Sequence, residues 1–349
     1  MRTTTISIET PPHTSNHSTI FVYSETAHPI HALFIDVRDG AALITPEMDA
    51  DSEEDDDIES KSEVYQAFLE HLKKLVRQDG TMHESIDTIR IDRASFSMPS
   101  YSMWKAMDGL KPKHLDIGCG WDEACDMEPL GAFNEKWELE TLVLRGFTDE
   151  IGDARLPGVF GGLKALTLEL CSNVRFNLPE KLTALCHLTI IGNDNLDAFT
   201  TLCKLNPAVP GLLQTLNLQC DHRLSNNKIK KFRTTLARCT ALISVRLILG
   251  GPGKIRSFVD VPRILSGSLE HLTFRGIPGM NKGLPLWLES ASDPAWLPQL
   301  KTISFGLDVT PATPGSTPPK DIVAISNQVE DFLDVLSSHR PNLQILNDF

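Results

Sequence analysis

The sequence predicts an α/β repeat solenoid, a right-handed horseshoe with parallel strands on its concave side and helices or loops on its convex side. Three observations lead there. An apolar triplet at the first, fourth and sixth places of a short segment recurs, as in Leu139/Leu142/Leu144, Leu163/Leu166/Leu168 and Leu185/Leu188/Ile190. From residue 86 to residue 300 the copies start 22 to 31 residues apart, enough for a strand and a helical return. Leucine follows the triplets: the first 100 residues hold 5 and the remaining 249 hold 40. Successive strand residues face opposite sides, so the triplet turns inward and the third, fifth and seventh places turn outward. A single strand and helix cannot cover their own apolar face, and stacked neighbours bury a continuous core.

In chain order, residues 1–29 are polar and rich in Thr, Pro and His, and are expected to be poorly ordered. Met1 to Ser18 show no apolar stretch of a secretory signal, so the sequon Asn16-His17-Ser18 reads as idle. Ile30/Leu33/Ile35 is a weak first copy and a candidate cap over Ile30–Val37. Eight acids between Asp49 and Glu59 make 48–60 a self-repelling, solvated insertion. In 63–76, Val64, Phe68, Leu72 and Leu75 recur at helical spacing. Ile86/Ile89/Ile91 and the Pro-led Pro112/Leu115/Ile117 precede the strong copies. After residue 190 come Leu213/Leu216/Leu218, Leu242/Val245/Leu247, Leu269/Leu272/Phe274 and Leu300/Ile303/Phe305.

Three Thr-Pro pairs make 309–319 a stiff second insertion, because proline fixes its own φ and extends the residue before it. A second helical stripe lies at Ile322, Ile325, Val329, Phe332 and Leu336. Leu343/Leu346 reads as a truncated last copy that closes the core. Residues 30–349 are therefore expected to form one solenoid of about 10–11 irregular repeats.

The spacing resembles leucine-rich repeats over nearly the whole chain from about residue 30. In three consecutive copies the likeness is narrower, with a Cys, Asn or Asp three places after the triplet and an apolar residue three further on: Cys171/Val174, Asn193/Leu196 and Asp221/Leu224. That is similar to the cysteine-containing subtype of fungal F-box/leucine-rich-repeat proteins, although Phe147 and Gly250 depart from it and no recognisable F-box precedes Ile30. The resemblance implies a non-enzymatic substrate-recognition subunit of a ubiquitin ligase, with a protein partner on the concave face and a cullin-ligase adaptor as a further partner.

Other chemistry reads weakly. A net charge of −13 disfavours nucleic acid as a partner, since such binders need a basic surface. No apolar run reaches the ~20 residues that span a bilayer. Seven cysteines at irregular spacing suit buried thiols in a reducing, intracellular compartment, cytoplasmic or nuclear. Leu115-Asp116-Ile117-Gly118-Cys119-Gly120 is similar to the first motif of S-adenosylmethionine-dependent methyltransferases, which is the alternative reading. Its third glycine place is Asp122, and Pro129 interrupts the segment where a helix would have to run, so a repeat strand with a glycine turn is preferred. Gly250-Gly251-Pro252-Gly253-Lys254 lacks the spacing of a phosphate loop. His114, Cys119 and Cys125 lack paired metal-ligand spacing, so neither a metal nor a cofactor is expected. Lys228, Lys230, Lys231, Arg233 and Arg238 read as the solvated face of an outer helix, and Trp287 and Trp296 as packing for an irregular repeat.

Function should then lie on the outward strand places. The candidates for binding a partner are Arg90, Asp92, His114, Asp116, Arg145, Glu169, His187, Asn217, Gln219, Arg246, His271 and Arg275. Thr88, Thr141, Thr167, Thr189, Thr215, Ser244 and Thr273 lie between them. The set is polar and mixed in sign, with Arg at both ends, and Arg makes several directed hydrogen bonds at protein interfaces. A monomer that binds protein and carries out no catalysis is the expectation.

Overall fold

From Ile86/Ile89/Ile91 to Leu300/Ile303/Phe305, each apolar triplet leads into a strand and its residues are buried. In a computed structural model of the chain, the described residues are 3–7, 19–25, 32–38, 69–70, 72–74, 76–78, 81–82, 86–94, 101–119, 137–146, 160–171, 182–192, 195–220, 226–249, 261–276, 278–307 and 322–346. The acidic insertion 48–60, the Pro/Thr insertion 309–319 and the glycine turn from Gly120 onward lie outside them, as do Val64, Phe68, Leu75 and Cys125. The chain is α/β with parallel strands, and it divides into two compact units. One comprises Met1–Leu163 with Cys171–Lys181, and the other Lys164–Leu170 with Leu182–Phe349.

In the first unit, β1 (Thr3–Ser7), β2 (Thr19–Glu25) and β3 (Ala32–Arg38) pair antiparallel in sequence. Residues 1–29 thus hold two strands where the sequence shows no apolar triplet; their Thr, Ile and Val residues suit extended backbone. A two-residue pair, β4 (Arg77–Gln78) and β5 (Thr81–Met82), stands apart as its own sheet. From β3 the pairing turns parallel, to β6 (Thr88–Ala94), β7 (His114–Cys119) and β8 (Thr141–Arg145). The expected triplets align in this register: Leu33, Ile89, Leu115 and Leu142 share one row, and Ile35, Ile91, Ile117 and Leu144 the next. Leu69, Leu72 and Val76 are buried at helical spacing, and α1 (Tyr101–Ala106) buries Trp104 edge-on against Trp137, 5.7 Å between ring centres.

The second unit repeats one rule through β9 (Ala165–Glu169), β10 (His187–Gly192), β11 (Thr215–Cys220), β12 (Ser244–Leu249), β13 (His271–Gly276) and β14 (Thr302–Leu307), each parallel to the next. Leu166, Leu188, Leu216, Val245, Leu272 and Ile303 lie side by side and are all buried. The start of each strand from β10 to β14 is tied by one backbone oxygen that accepts two N–H groups. Lys164 O takes Cys186 N and His187 N, and Cys186 O takes Gln214 N and Thr215 N. Gln214 O, Ile243 O and Glu270 O do the same for the three later strands, at 2.8–3.1 Å, and Asp87 O and Lys113 O do so in the first unit.

Helices cover the buried side of this second set of strands. In α2 (Asn195–Leu205) Leu196, Phe199, Leu202 and Cys203 are buried, and in α4 (Asn226–Leu236) Ile229, Phe232 and Leu236. Phe199 and Phe232 meet edge to face at 5.8 Å. Between these helices the short α3 (Val209–Leu212) begins with Pro near its first turn, where its missing N–H costs no helical bond. The buried Asn206 donates to Leu202 O and accepts Leu182 N, so its amide replaces backbone partners at a helix end.

Further on, α5 (Leu284–Ala291) and α6 (Ile322–His339) bring Trp287 and Phe332 onto Phe305 of β14, with ring centres 4.9 and 4.6 Å from it. Of the stripe expected at Ile322, Ile325, Val329, Phe332 and Leu336, Ile325, Phe332 and Leu336 are buried on α6 and Val329 is half-buried; the side chain of Ile322 is not among those described. Trp296 is tied by its indole N–H to Pro262 O at 2.8 Å.

The last copy is displaced by one place. In β15 (Gln344–Ile345) it is Ile345 that pairs with Ile303, where the triplet would put Leu346. Both Ile345 and Leu346 are exposed, so no burial selects a register, and a shift of one residue exchanges the faces.

Two backbone positions at the end of β9 and β10 are coupled. Gly192 has φ +113°, and a Cβ there would stand 2.9 Å from the Cα of Leu170, which itself has φ 54°. Only glycine fits that approach.

Candidate functional site

Outward side chains of the parallel strands are set by the same alternation that buries the leucines. In β9 and β11 the outward residues are half-buried and the inward ones buried. Register places them in rows, and the two units are described separately.

In the first unit the rows converge on one carboxylate. Arg90 and Asp116 are direct partners across β6 and β7, and Arg90 Nε lies 3.7 Å from Asp116 Oδ2. Arg145, one strand further, reaches diagonally back and grips both oxygens, Nη2 to Oδ1 at 2.7 Å and Nη1 to Oδ2 at 3.1 Å. The Nη1–H donation to Oδ2 is a charge-assisted hydrogen bond, and the Nη2 approach to Oδ1 adds an ion pair. His114 starts β7 opposite Thr141, and Lys113 and Glu140, one place earlier on each strand, pair at 3.5 Å. Asp92 sits in β6 opposite Asp36 of β3, and only its place in the strand is described.

In the second unit the first outward row reads Ala165, His187, Thr215, Ser244, His271 and Thr302. Each histidine in that row bonds the threonine on the next strand: His187 Nδ1 to Thr215 Oγ1 at 3.1 Å, and His271 Nδ1 to Thr302 Oγ1 at 2.9 Å. The middle row is Thr167, Thr189, Asn217, Arg246, Thr273 and Ser304. Arg246 is exposed, Asn217 is half-buried beside it with no hydrogen-bond partner for its Oδ1 among the described residues, and Ser304 is fully buried. The third row holds Glu169, Ile191, Gln219, Ile248 and Arg275, all half-buried. Just before the strands, the Lys301 ammonium bonds Glu270 at 2.6 Å and holds its carboxyl below the usual carboxylate range.

Of the twelve residues expected from sequence, Arg90, Asp116 and Arg145 are brought together in one network. His187, Asn217, Arg246 and His271 spread along rows of the second unit, with Glu169, Gln219 and Arg275 in its third row. Sequence reasoning passed over Val143, Ile191 and Ile248, which also occupy outward places and make the face partly apolar. Counting places without regard to polarity would have found them.

Among the described residues no three His, Cys, Asp or Glu side chains gather closely enough to hold a metal ion, and no helix is long and apolar enough to cross a membrane. Buried cysteines behave as small apolar groups: Cys171 Sγ donates to Leu144 O at 3.3 Å, and Cys220 and Cys239 are buried. Comparison of the chain with models of known protein families gives no match, and a search of curated proteins gives none.

Proposed function

We propose that the chain is a leucine-rich-repeat array that recognises a protein partner on the outward face of its strands, without catalysis. The observation that supports this is the alignment of hydrogen-bonding side chains across β9 to β14, strand after strand in one register. Six strands at about 4.8 Å spacing span about 24 Å, the length of about seven extended residues. A peptide crossing the strands would meet Thr189, Asn217, Arg246 and Thr273 in turn along the middle row. Exposed Arg246 supplies a planar donor fork and Asn217 an acceptor beside it, a pairing suited to carbonyl and amide groups. In the horseshoe reading this face is the concave one. The narrower form of the proposal, carried by the resemblance to F-box/leucine-rich-repeat proteins, is substrate recognition for a cullin-based ubiquitin ligase.

Affinity purification of the intact chain against an Arg246→Glu/His187→Ala variant tests the surface. Loss of a specific partner with an unchanged far-ultraviolet spectrum supports it, and an identical set of captured proteins refutes it. Absence of cullin and adaptor subunits from the wild-type capture removes the narrower form alone.

A further inference from the structure

The helices of the second unit hold a groove that the strand face does not use. Between α2 and α4 lies a cavity of about 670 Å³ whose walls carry Lys204, Lys230, Lys231 and Arg238. The acidic residue among its described lining, Asp197, is already taken by Lys228 at 2.7 Å. Among the described residues no carboxylate pairs with Lys204, Lys230, Lys231 or Arg238, although the chain as a whole carries a net charge of −13. Arg238 is anchored by a bond from Nη2 to Pro207 O at 3.1 Å, which fixes one cation at the end of the groove. From Lys230 to the end of α4 at Leu236 the helix rises about 9 Å at 1.5 Å per residue, and Arg238 lies two residues beyond. An anion with several charges in line suits that spacing better than one compact charge.

Two neutral residues of the lining favour one kind of anion over another. Thr234 Oγ1 donates to Lys230 O at 3.1 Å and Thr200 Oγ1 to Asp197 O at 3.1 Å. With its one proton committed to the helix, each hydroxyl presents only lone pairs to a ligand. At those two hydroxyls a phosphate chain, which offers acceptors alone, gains nothing, whereas a polypeptide brings N–H donors between its carboxylates; the amide of Asn227, also in the lining, can donate to either. No aromatic side chain is among the described lining residues, and stacking platforms are what single-stranded nucleic acids use.

We propose that the groove between Asn195–Leu205 and Asn226–Leu236 is a docking site for an acidic peptide segment of a partner protein. Its carboxylates lie on Lys204, Lys230, Lys231 and Arg238, and its backbone N–H groups meet the hydroxyls of Thr200 and Thr234. This site is separate from the strand face and adds a second contact for the same or another protein.

The test is fluorescence anisotropy of the full chain with a labelled Asp/Glu peptide of about ten residues, long enough at about 3.3 Å per residue to span the cations. Saturable binding that weakens with salt is expected, with affinity reduced at least about tenfold in Lys230→Glu/Lys231→Glu. Both lysines are exposed while Ile229 and Phe232 anchor the helix, so the variant should fold; far-ultraviolet circular dichroism checks this, and Lys204→Glu on the other wall serves as a second reporter. Arg246→Glu should leave the affinity unchanged, which separates this site from the strand face. No saturable binding, or binding by both charge-reversal variants as tight as that of the parent chain, overturns the proposal. So does displacement by tripolyphosphate or an oligothymidylate at lower concentration than the unlabelled peptide, which would identify a phosphate-binding groove.

Discussion

Replacing Phe332 by Ala should unseat one corner of the second unit and leave its far end intact. The side chain has 0% exposure and its ring centre lies 4.6 Å from Phe305 and 5.8 Å from Trp287. Truncating a core Phe costs about 3–5 kcal/mol through lost transfer energy and the cavity left behind. Each well-oriented aromatic pair adds about 0.5–1.5 kcal/mol beyond area burial. With two pairs removed, the upper part of the range, about 4–5 kcal/mol, is the expected loss. Urea unfolding followed by tryptophan emission reads it directly, because Trp287 is itself in the cluster. Hydrogen exchange should show protection lost over α5, α6 and β14 and retained over β10 and β11, which reach β14 only through β12 and β13. Ile345→Ala is the control: its side chain is 40% exposed and its removal should shift stability by no more than about 0.5 kcal/mol. A cost below about 2 kcal/mol for Phe332→Ala would refute the packing argument, as would equal costs for the two variants.

Three further outcomes are expected. Gly192→Ala places a Cβ 2.9 Å from Leu170 Cα at φ +113°, and thermal unfolding should show a loss above about 2 kcal/mol. Asp116→Asn leaves Arg90 and Arg145 facing each other without their shared anion; because these side chains are partly solvated, the loss should be only about 1–2 kcal/mol and should shrink in molar salt. Burial raises the thiol of Cys203, and pushes that of Cys239 up to about 12 from an ordinary 9.0. Both are neutral in the folded chain and ionise more easily once unfolded, so their contribution is complete below pH 9.0 and declines for Cys239 between 9.0 and about 12. Urea midpoints taken across that window should fall less steeply in Cys239→Ala than in the parent chain.

The strand register was legible because it is written in the least negotiable residues. Leu188, Leu216, Val245, Leu272 and Ile303 are all buried, and moving any of them to the outward side would expose a whole strand's apolar set. The slip at Ile345 shows the same principle in reverse, since neither it nor Leu346 is buried. The strands in residues 1–29 were not legible, since they carry no triplet and pair antiparallel outside the period. Of the strand face, the alignment of His187 with Thr215 comes from counting places. The grip of Arg145 on Asp116 does not, because it runs diagonally between places that are not direct partners. The groove between α2 and α4 was hidden for a further reason. Lys204 and Lys230 are 26 residues apart and lie on different helices, so no local window contains the pair.

The doubly used carbonyl at each strand start has a consequence for how such a chain can change. Because Lys164, Cys186, Gln214, Ile243 and Glu270 each fasten the next strand through one oxygen, strand alignment is fixed where the strand begins, whatever route the chain takes to get there. The stretches between fastenings are then free to lengthen or shrink, as their uneven spans attest. Loop grafts inserted between one fastening and the next should leave neighbouring strands aligned, whereas a proline at His187, Thr215 or Ser244, which removes a fastening N–H, should separate the chain there as an open seam.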